Sequence, residues 1–144
     1  MNLADVNILL AAFVTDLPAH VSCKPWLDRE MAGTQNFCVS TLVLSAVVRI
    51  STNPKVFQPS ALLGDAIAFC NALIDHPMAV LIEPGPAHWP IFSSLCLAAN
   101  ARANLITDAW FAALAIEHNC TLITFDRDFA KFPGLKTASP LIAR

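Results

Sequence analysis

The stretch from Leu105 to Phe129, LITDAWFAALAIEHNCTLITFDRDF, constrains the fold more than any other part of the chain. From Ala109 to Ile116 every residue is apolar, so a helix here has no solvent stripe and is buried nearly all round. Thr107-Asp108 is expected to open it, one or the other capping the first free N–H groups. Glu117-His118 ends it, with Asn119 as a left-handed stop. Cys120 to Phe125 is then a short apolar, β-branched run, the pattern of a strand covered on both faces. Asp126 and Asp128 follow at its carboxyl end. Carboxylates gathered at a strand end and a helix start are costly to hold together without a cation.

The rest of the chain repeats the alternation. Asn2 to Ala4 reads as a strand, Asp5-Val6-Asn7 as a strand-to-helix junction, and Ile8 to Phe13 as helix. A second helix runs towards Met31, with Pro25 either in its first turn or kinking it. Phe37 to Val39 is the second strand. Ser40-Thr41 caps the helix Leu42 to Ile50, which Asn53-Pro54 stops. Ser60 caps a helix from Ala61 to Ile74, Ala79 to Ile82 is the third strand, and Ala87 to Ala103 is helical. A short last strand fits near Leu135 to Thr137. Strands alternating with helices argue for an α/β fold, a parallel sheet with helices on both faces. In such sheets ligands sit outside the carboxyl ends of the strands, where strand order reverses. If the first and fourth strands are neighbours, Asp5 and Asp126 open into one crevice, and Asp108 can point into it. Taken singly each is an ordinary cap or strand-end residue; converging by topology they make a site. Oxygen-only ligands suit Mg²⁺ or Mn²⁺.

Composition removes several classes. The 144 residues fit one domain, and with 56% hydrophobic and only 14% charged residues the chain is not disordered. No apolar run approaches the roughly 18–20 residues of a membrane span. MNLADVNILL has a carboxylate in its apolar run and no basic leader, so no signal peptide is expected. The five cysteines form no CxxC pair, and the four histidines show no HxxxH or HExxH spacing, which argues against zinc. Buried free thiols in a reducing cytoplasm are the expectation. A formal charge of −2 gives no electrostatic pointer to nucleic acid. The apolar excess, with Trp26 and Phe57 as exposed candidates, points to a partner surface.

Five segments, LADVNILLAA, VVRISTNPKVF, LIEPGPAHW, NLITDAWFAALAIEHNCTL and TFDRDFAKFPGL, together resemble the PIN-domain ribonucleases, specifically the VapC toxins of toxin–antitoxin pairs. The resemblance covers nearly the whole chain. It implies one PIN-like domain over 1–144, a three-layer α/β/α sandwich with a central mostly parallel sheet and the first and fourth strands adjacent. It further implies a Mg²⁺-dependent endoribonuclease (Mn²⁺ also fits) acting on structured RNA such as tRNA or rRNA. A VapB-type antitoxin, a homodimer and a cytoplasmic setting without membrane contact complete the expectation.

Carried over by position, Asp5 and Asp108 match the family's principal metal-binding carboxylates and Asp126 a further member of the cluster. Asp128 matches an auxiliary acid of the TxDxDF motif and Asn7 the polar residue of DxN. Thr107 and Thr124 fall where the family places hydroxyls, and Arg49 matches an arginine suited to phosphate or to a salt bridge within the cluster. Arg102, Arg127 and Lys131 are further basic residues that could reach an RNA backbone. One position departs: the glutamate usual three residues before that arginine is Ala46 here, so one tight metal is expected and a second only with RNA. Two other classes stay open. A small-molecule phosphohydrolase is weakened because Asp5-Val6-Asn7 lacks the second Asp of a phosphotransfer DxD. A PIN fold that only binds a partner is allowed by Ala46.

Overall fold

Hydrogen bonding between strands that are distant in sequence sets the frame. The computed structural model describes residues 1–140. Strands β1 (Asn2–Ala4), β2 (Phe37–Val39), β3 (Ala79–Leu81), β4 (Thr121–Ile123) and β5 (Lys136–Ala138) form one sheet in the order β3-β2-β1-β4-β5. Every pairing is parallel, and β1 lies against β4 with Asn2, Leu3 and Ala4 opposite Thr121, Leu122 and Ile123. The chain leaves β1 towards β2 and returns to β4 on β1's other side, so the order reverses between the two strands that carry the acidic residues.

Helices α1 (Val6–Phe13), α2 (His20–Ala32), α3 (Thr41–Ser51) and α4 (Leu63–Ile74) fill the crossovers from β1 to β3. Helices α5 (His88–Ala99) and α6 (Asn104–Glu117) fill the return to β4. Right-handed crossovers place these two groups on opposite faces, giving three layers. Neighbouring residues of β4, Leu122 and Ile123, point to opposite faces and both are buried, as a doubly covered strand requires. The edges are β3 and β5, and β5 is exposed throughout.

Helix α6 is buried as its composition demands: Ala109, Ala112, Ala113, Leu114 and Ala115 have no exposed surface. The alanines let the backbone approach the sheet closely, so added volume there would cost about 1–3 kcal/mol in overpacking. Several expected boundaries move. Helix α6 begins at Asn104, not at Thr107-Asp108, because Asn100 turns left-handed (φ 47°) and ends α5 at Ala99, short of Ala103. A four-residue connector then starts α6 early, behind an Ala103 N-cap with no side-chain hydrogen bond. Ser60 caps nothing; α4 starts at Leu63, after the Ala61 N–H has bonded to the Ser51 carbonyl. Ser40 does occupy the N-cap of α3, without a side-chain bond. Pro25 lies inside α2, beyond its first turn. A 3₁₀ turn, Arg127–Lys131, had no counterpart in the sequence reading.

The exposed apolar candidates are also corrected. Trp26 is buried and belongs to the core under α2, and Phe57 is half-buried. Large apolar side chains in solvent instead include Leu62 and Leu63 before and on α4, and Trp89 and Leu97 on α5, at 71%, 62%, 69% and 83% exposure. No helix among the described residues is long and apolar enough to cross a membrane.

Candidate metal centre

The chain's acidic residues meet because two parallel strands end side by side. Asp5 follows β1 and its N–H donates to the Ile123 carbonyl of β4 at 2.9 Å, fixing it beside the other strand's end. As N-cap of α1, its Oδ1 accepts from the Val6 N–H at 2.7 Å, and its Oδ2 accepts from the Thr124 hydroxyl at 2.7 Å. Thr124 is itself buried and accepts in turn from the Asp126 N–H at 3.0 Å and the Asn7 side-chain amide at 3.4 Å. Thr124 is therefore a knot between β1, α1 and the segment after β4, turned away from solvent. Its hydroxyl holds a carboxylate in place.

Asp126 caps the 3₁₀ turn, its Oδ1 accepting from the Asp128 N–H at 2.8 Å. That turn swings Asp128 back towards α6. One carboxylate oxygen each from Asp108, Asp126 and Asp128 lies within 4.8 Å of the others, close enough for one ion. The expected trio was Asp5, Asp108 and Asp126. The residues drawn tightest are Asp108, Asp126 and Asp128, with Asp5 next to them and both its oxygens already bonded. Asp108 reaches the cluster from inside α6 rather than as its cap.

Electrostatics set this centre apart. Burial pushes the Asp108 carboxyl up to about 6, helped by the charges of Asp126, Asp5 and Asp128. Burial raises Asp5 too, opposed by its bonds from Thr124 and Val6 and reinforced by Asp126. Among the described residues the one cation bonded to the group is Lys131, 3.1 Å from Asp128 and largely in solvent, where it offsets little. Asn7 Oδ1 is buried with no hydrogen-bond partner among the described residues, and such an atom needs a donor or a cation. An all-oxygen donor set, uncompensated charge and an orphaned acceptor together fit a hard divalent cation.

Beside the carboxylates a crevice of about 450 Å³ opens between α1, α3 and α6. Asp5, Asn7, Thr107 and Asp108 line one wall, and Ala46 and Arg49 the other. Arg49 is exposed and makes no ion pair among the described residues, which disfavours the salt-bridge role considered for it. Ala46 leaves the α3 wall without a carboxylate, and the hydroxyl of neighbouring Ser45 turns back to the Leu42 carbonyl at 2.8 Å. Arg102 and Arg127 are exposed, neither in the crevice.

A protein-family model described as PIN domain matches residues 3–135. The chain is 39% identical to Ribonuclease VapC25 of Mycobacterium tuberculosis over 142 residues, covering 99% of this chain and all of that one. It is 38% identical to Ribonuclease VapC31 of the same species over 140 residues, covering 97% and 99%. Among solved structures, it superposes on a chain of VapBC-1 from nontypeable Haemophilus influenzae with a TM-score of 0.68 at 14% identity, covering 96% of each. A chain of the DNA-bound VapBC2 from Rickettsia felis gives 0.67 at 16% identity, covering 94% and 96%.

Proposed function

This chain belongs to the PIN domain family, and from that premise we propose that it is a Mg²⁺-dependent endoribonuclease, the toxin of a type II toxin–antitoxin pair. The observation that carries this reading is the convergence of four carboxylates with almost no compensating charge at the mouth of a crevice. Asp5, Asp108, Asp126 and Asp128 would hold or surround a divalent cation, Mg²⁺ or Mn²⁺. A cation held there would supply an activated water and would neutralise charge on a phosphate under attack.

The chain's own residues do the positioning. Thr124 fixes Asp5 and the Asp126 backbone in one frame, and Asn7 leaves an acceptor free at the site. Arg49 presents an uncommitted guanidinium across the crevice, suited to an RNA phosphate. Thr107 lines the entrance. Without cations the cluster repels RNA; with them the local sign inverts. The substrate fitting an open, wide crevice is structured RNA such as tRNA or rRNA. That all the carboxylates converge supports catalysis over a PIN fold kept only for binding.

With no carboxylate at Ala46, one cation binds tightly in the free protein and a second only with RNA. The whole chain, 1–144, acts as one domain in the cytoplasm. A VapB-type antitoxin covers the crevice, in line with the VapBC names of the solved neighbours. The apolar side chains left in solvent support a homodimer. Cleavage of a tRNA and rRNA pool, with and without Mg²⁺, with Asp5→Asn as control, tests the reading. Equal cutting by Asp5→Asn in limiting Mg²⁺, or undiminished cutting in excess chelator, would remove it.

A further inference from the structure

Cysteine chemistry is the one reactive feature that the nuclease reading leaves unused. Cys38, in the middle of β2, and Cys120, just before β4, sit on either side of β1. Their positions share the parity of Leu3, which pairs with Cys38 and Leu122, so both side chains emerge on the same face of the sheet. The two sulfurs are 2.7 Å apart, both residues at 5% exposure or less. Met1 lies over them, its thioether 3.9 Å from the Cys38 sulfur, and is itself half in solvent. The other thiols, Cys23, Cys70 and Cys96, are not paired with one another in this way.

We propose that Cys38 and Cys120 are a redox modification site, oxidised by hydroperoxides to a disulfide that ties β2 to β4 across β1. The two sulfurs already meet, so forming a bond about 2.05 Å long asks for an adjustment of the backbones on either side of β1 rather than a new encounter. Roles within the pair follow from its asymmetry. The hydrogen bond from Cys38 holds the Cys120 thiol below its ordinary range, against the effect of burial and with help from the Met1 ammonium. The same bond and burial push the Cys38 thiol up. Cys120 therefore supplies the thiolate that is the nucleophile, and Cys38 resolves.

The steps balance. The Cys120 thiolate attacks one peroxide oxygen, the O–O bond breaks, and the departing alkoxide takes a proton to leave as alcohol, or as water from hydrogen peroxide. The resulting sulfenic acid is attacked by the Cys38 sulfur; the S–S bond forms, the S–O bond breaks, and hydroxide leaves with the Cys38 proton as water. Two thiols and one hydroperoxide thus give one disulfide, one alcohol and one water. A small oxidant is required, since both thiols are buried and Met1 packs against Cys38.

The crosslink would act on the weakest seam of the sheet. The β1–β2 pairing rests on the single register pair Leu3–Cys38, whereas the other strand pairs have three each. Strand β2 leads directly into α3 and its crevice-lining Arg49, and β4 leads into Thr124 and Asp126. A bond from 38 to 120 would join those two supports, closing a loop that spans most of the chain, a geometry that stabilises by restricting the unfolded state.

The test treats the full-length protein with stoichiometric hydrogen peroxide, then digests it without reductant and maps peptides by mass spectrometry. The expected product is a 38–120 crosslinked peptide, with titratable thiols falling by two from the original five and a melting temperature higher by roughly 5 °C. Dithiothreitol should reverse all three. Oxygen addition at Cys96, the most accessible thiol, with Cys38 and Cys120 still reduced would overturn the proposal, as would a crosslink through any other pair. The mapping is made on the native sequence, so it does not depend on variants folding. Cys38→Ala and Cys120→Ala, where they fold, should lose the peroxide-induced rise in melting temperature; keeping it would equally overturn the assignment.

Discussion

Helix α6 carries a carboxylate near each end, and the two have opposite fates. Near its carboxyl end, Glu117 is fully employed: its Oε2 accepts from the Gly85 N–H at 3.0 Å and its Oε1 from the Ala87 N–H at 3.2 Å. These are donors at the start of α5, so Glu117 fastens the two helices together. Near the amino end, Asp108 accepts no hydrogen bond from the described residues and faces Asp126, Asp128 and Asp5. One carboxylate is provided with donors and the other with repulsion. Net favourable contributions come from satisfied polar groups, so the first stabilises the fold and the second detracts from it. A region that detracts from stability yet is held in place by Thr124, Asp5 and the 3₁₀ turn is organised for something the free protein lacks.

The largest effects should separate these two ends. Asp108→Asn keeps the shape and removes a ligand charge, so RNA cleavage should fall by more than the roughly 10–100-fold typical of losing a supporting group around a metal. Its thermal stability without metal should hold or rise, since repulsion is relieved. Glu117→Ala should do the reverse, losing about 1–3 kcal/mol with cleavage per folded molecule unchanged. Urea denaturation and a single-turnover cleavage assay on both variants check this. A Glu117→Ala protein as stable as the parent, or an Asp108→Asn protein as active, would erase the contrast.

Gly85→Ala sharpens the same comparison from the partner's side. A Cβ there would stand 2.5 Å from Glu117 Oε1, so the carboxylate must leave its two donors. The expected loss is about 1–2 kcal/mol, and combining it with Glu117→Ala should add little, because both remove one interaction. Full additivity in a double-mutant cycle would mean that Gly85 matters for some other reason.

How much of this contrast was legible beforehand depends on distance along the chain. The alternating pattern pointed to a parallel sheet, but the adjacency of β1 and β4 came only from the resemblance to the PIN-domain ribonucleases, and the meeting of Asp5 with Asp126 was an expectation conditional on it. The tighter set with Asp128 was not expected, because the 3₁₀ turn that brings Asp128 back is set by an Asp126 side chain bonding its own backbone two residues on. The start of α6 was misplaced because Thr107-Asp108 looks like a cap, while the short α5–α6 connector overrode that local preference. Trp26 was offered as an exposed candidate on the apolar excess of the chain; the packing of α1 on α2 decided otherwise. The Glu117 clasp and the Cys38–Cys120 contact join residues far apart in sequence, and no local pattern encodes either.

The third test uses protons. With Asp108 raised to about 6 from an unfolded value near 3.9, the metal-free folded state binds the extra proton between those values. The stabilising effect of that proton is fully present below about pH 4 and is lost as pH rises through about 6. Asp5, also raised, acts in the same direction. After screening of this partly exposed group the change should be about 1 kcal/mol. Urea midpoints of the apo protein should therefore drift down from pH 4 to 6.5. Saturating Mg²⁺ should flatten or reverse the drift, since the cation favours the ionised cluster. A rise with pH in the apo protein would show that the carboxylates are not repelling one another.

The smallest effect lies at the hinge between the helices, one turn before Asp108. Ala103 sits at φ 49°, ψ −124°, a region open to glycine and strained for any residue with a Cβ. Such positions cost of order 1–3 kcal/mol, and Ala103→Gly should recover that less the roughly 0.4–1 kcal/mol of added unfolded-state entropy. The expected gain is about 0.5–1 kcal/mol by urea denaturation. The comparison gives the result its meaning. If the strain serves only to join α5 to α6, cleavage by the glycine variant stays at the parental rate while stability rises. If it holds the first turn of α6 so that Asp108 stays among its repelling neighbours, the variant is more stable yet binds Mg²⁺ more weakly, as calorimetric titration would show. A glycine variant no more stable than the parent would mean that Ala103 does not hold this backbone in solution.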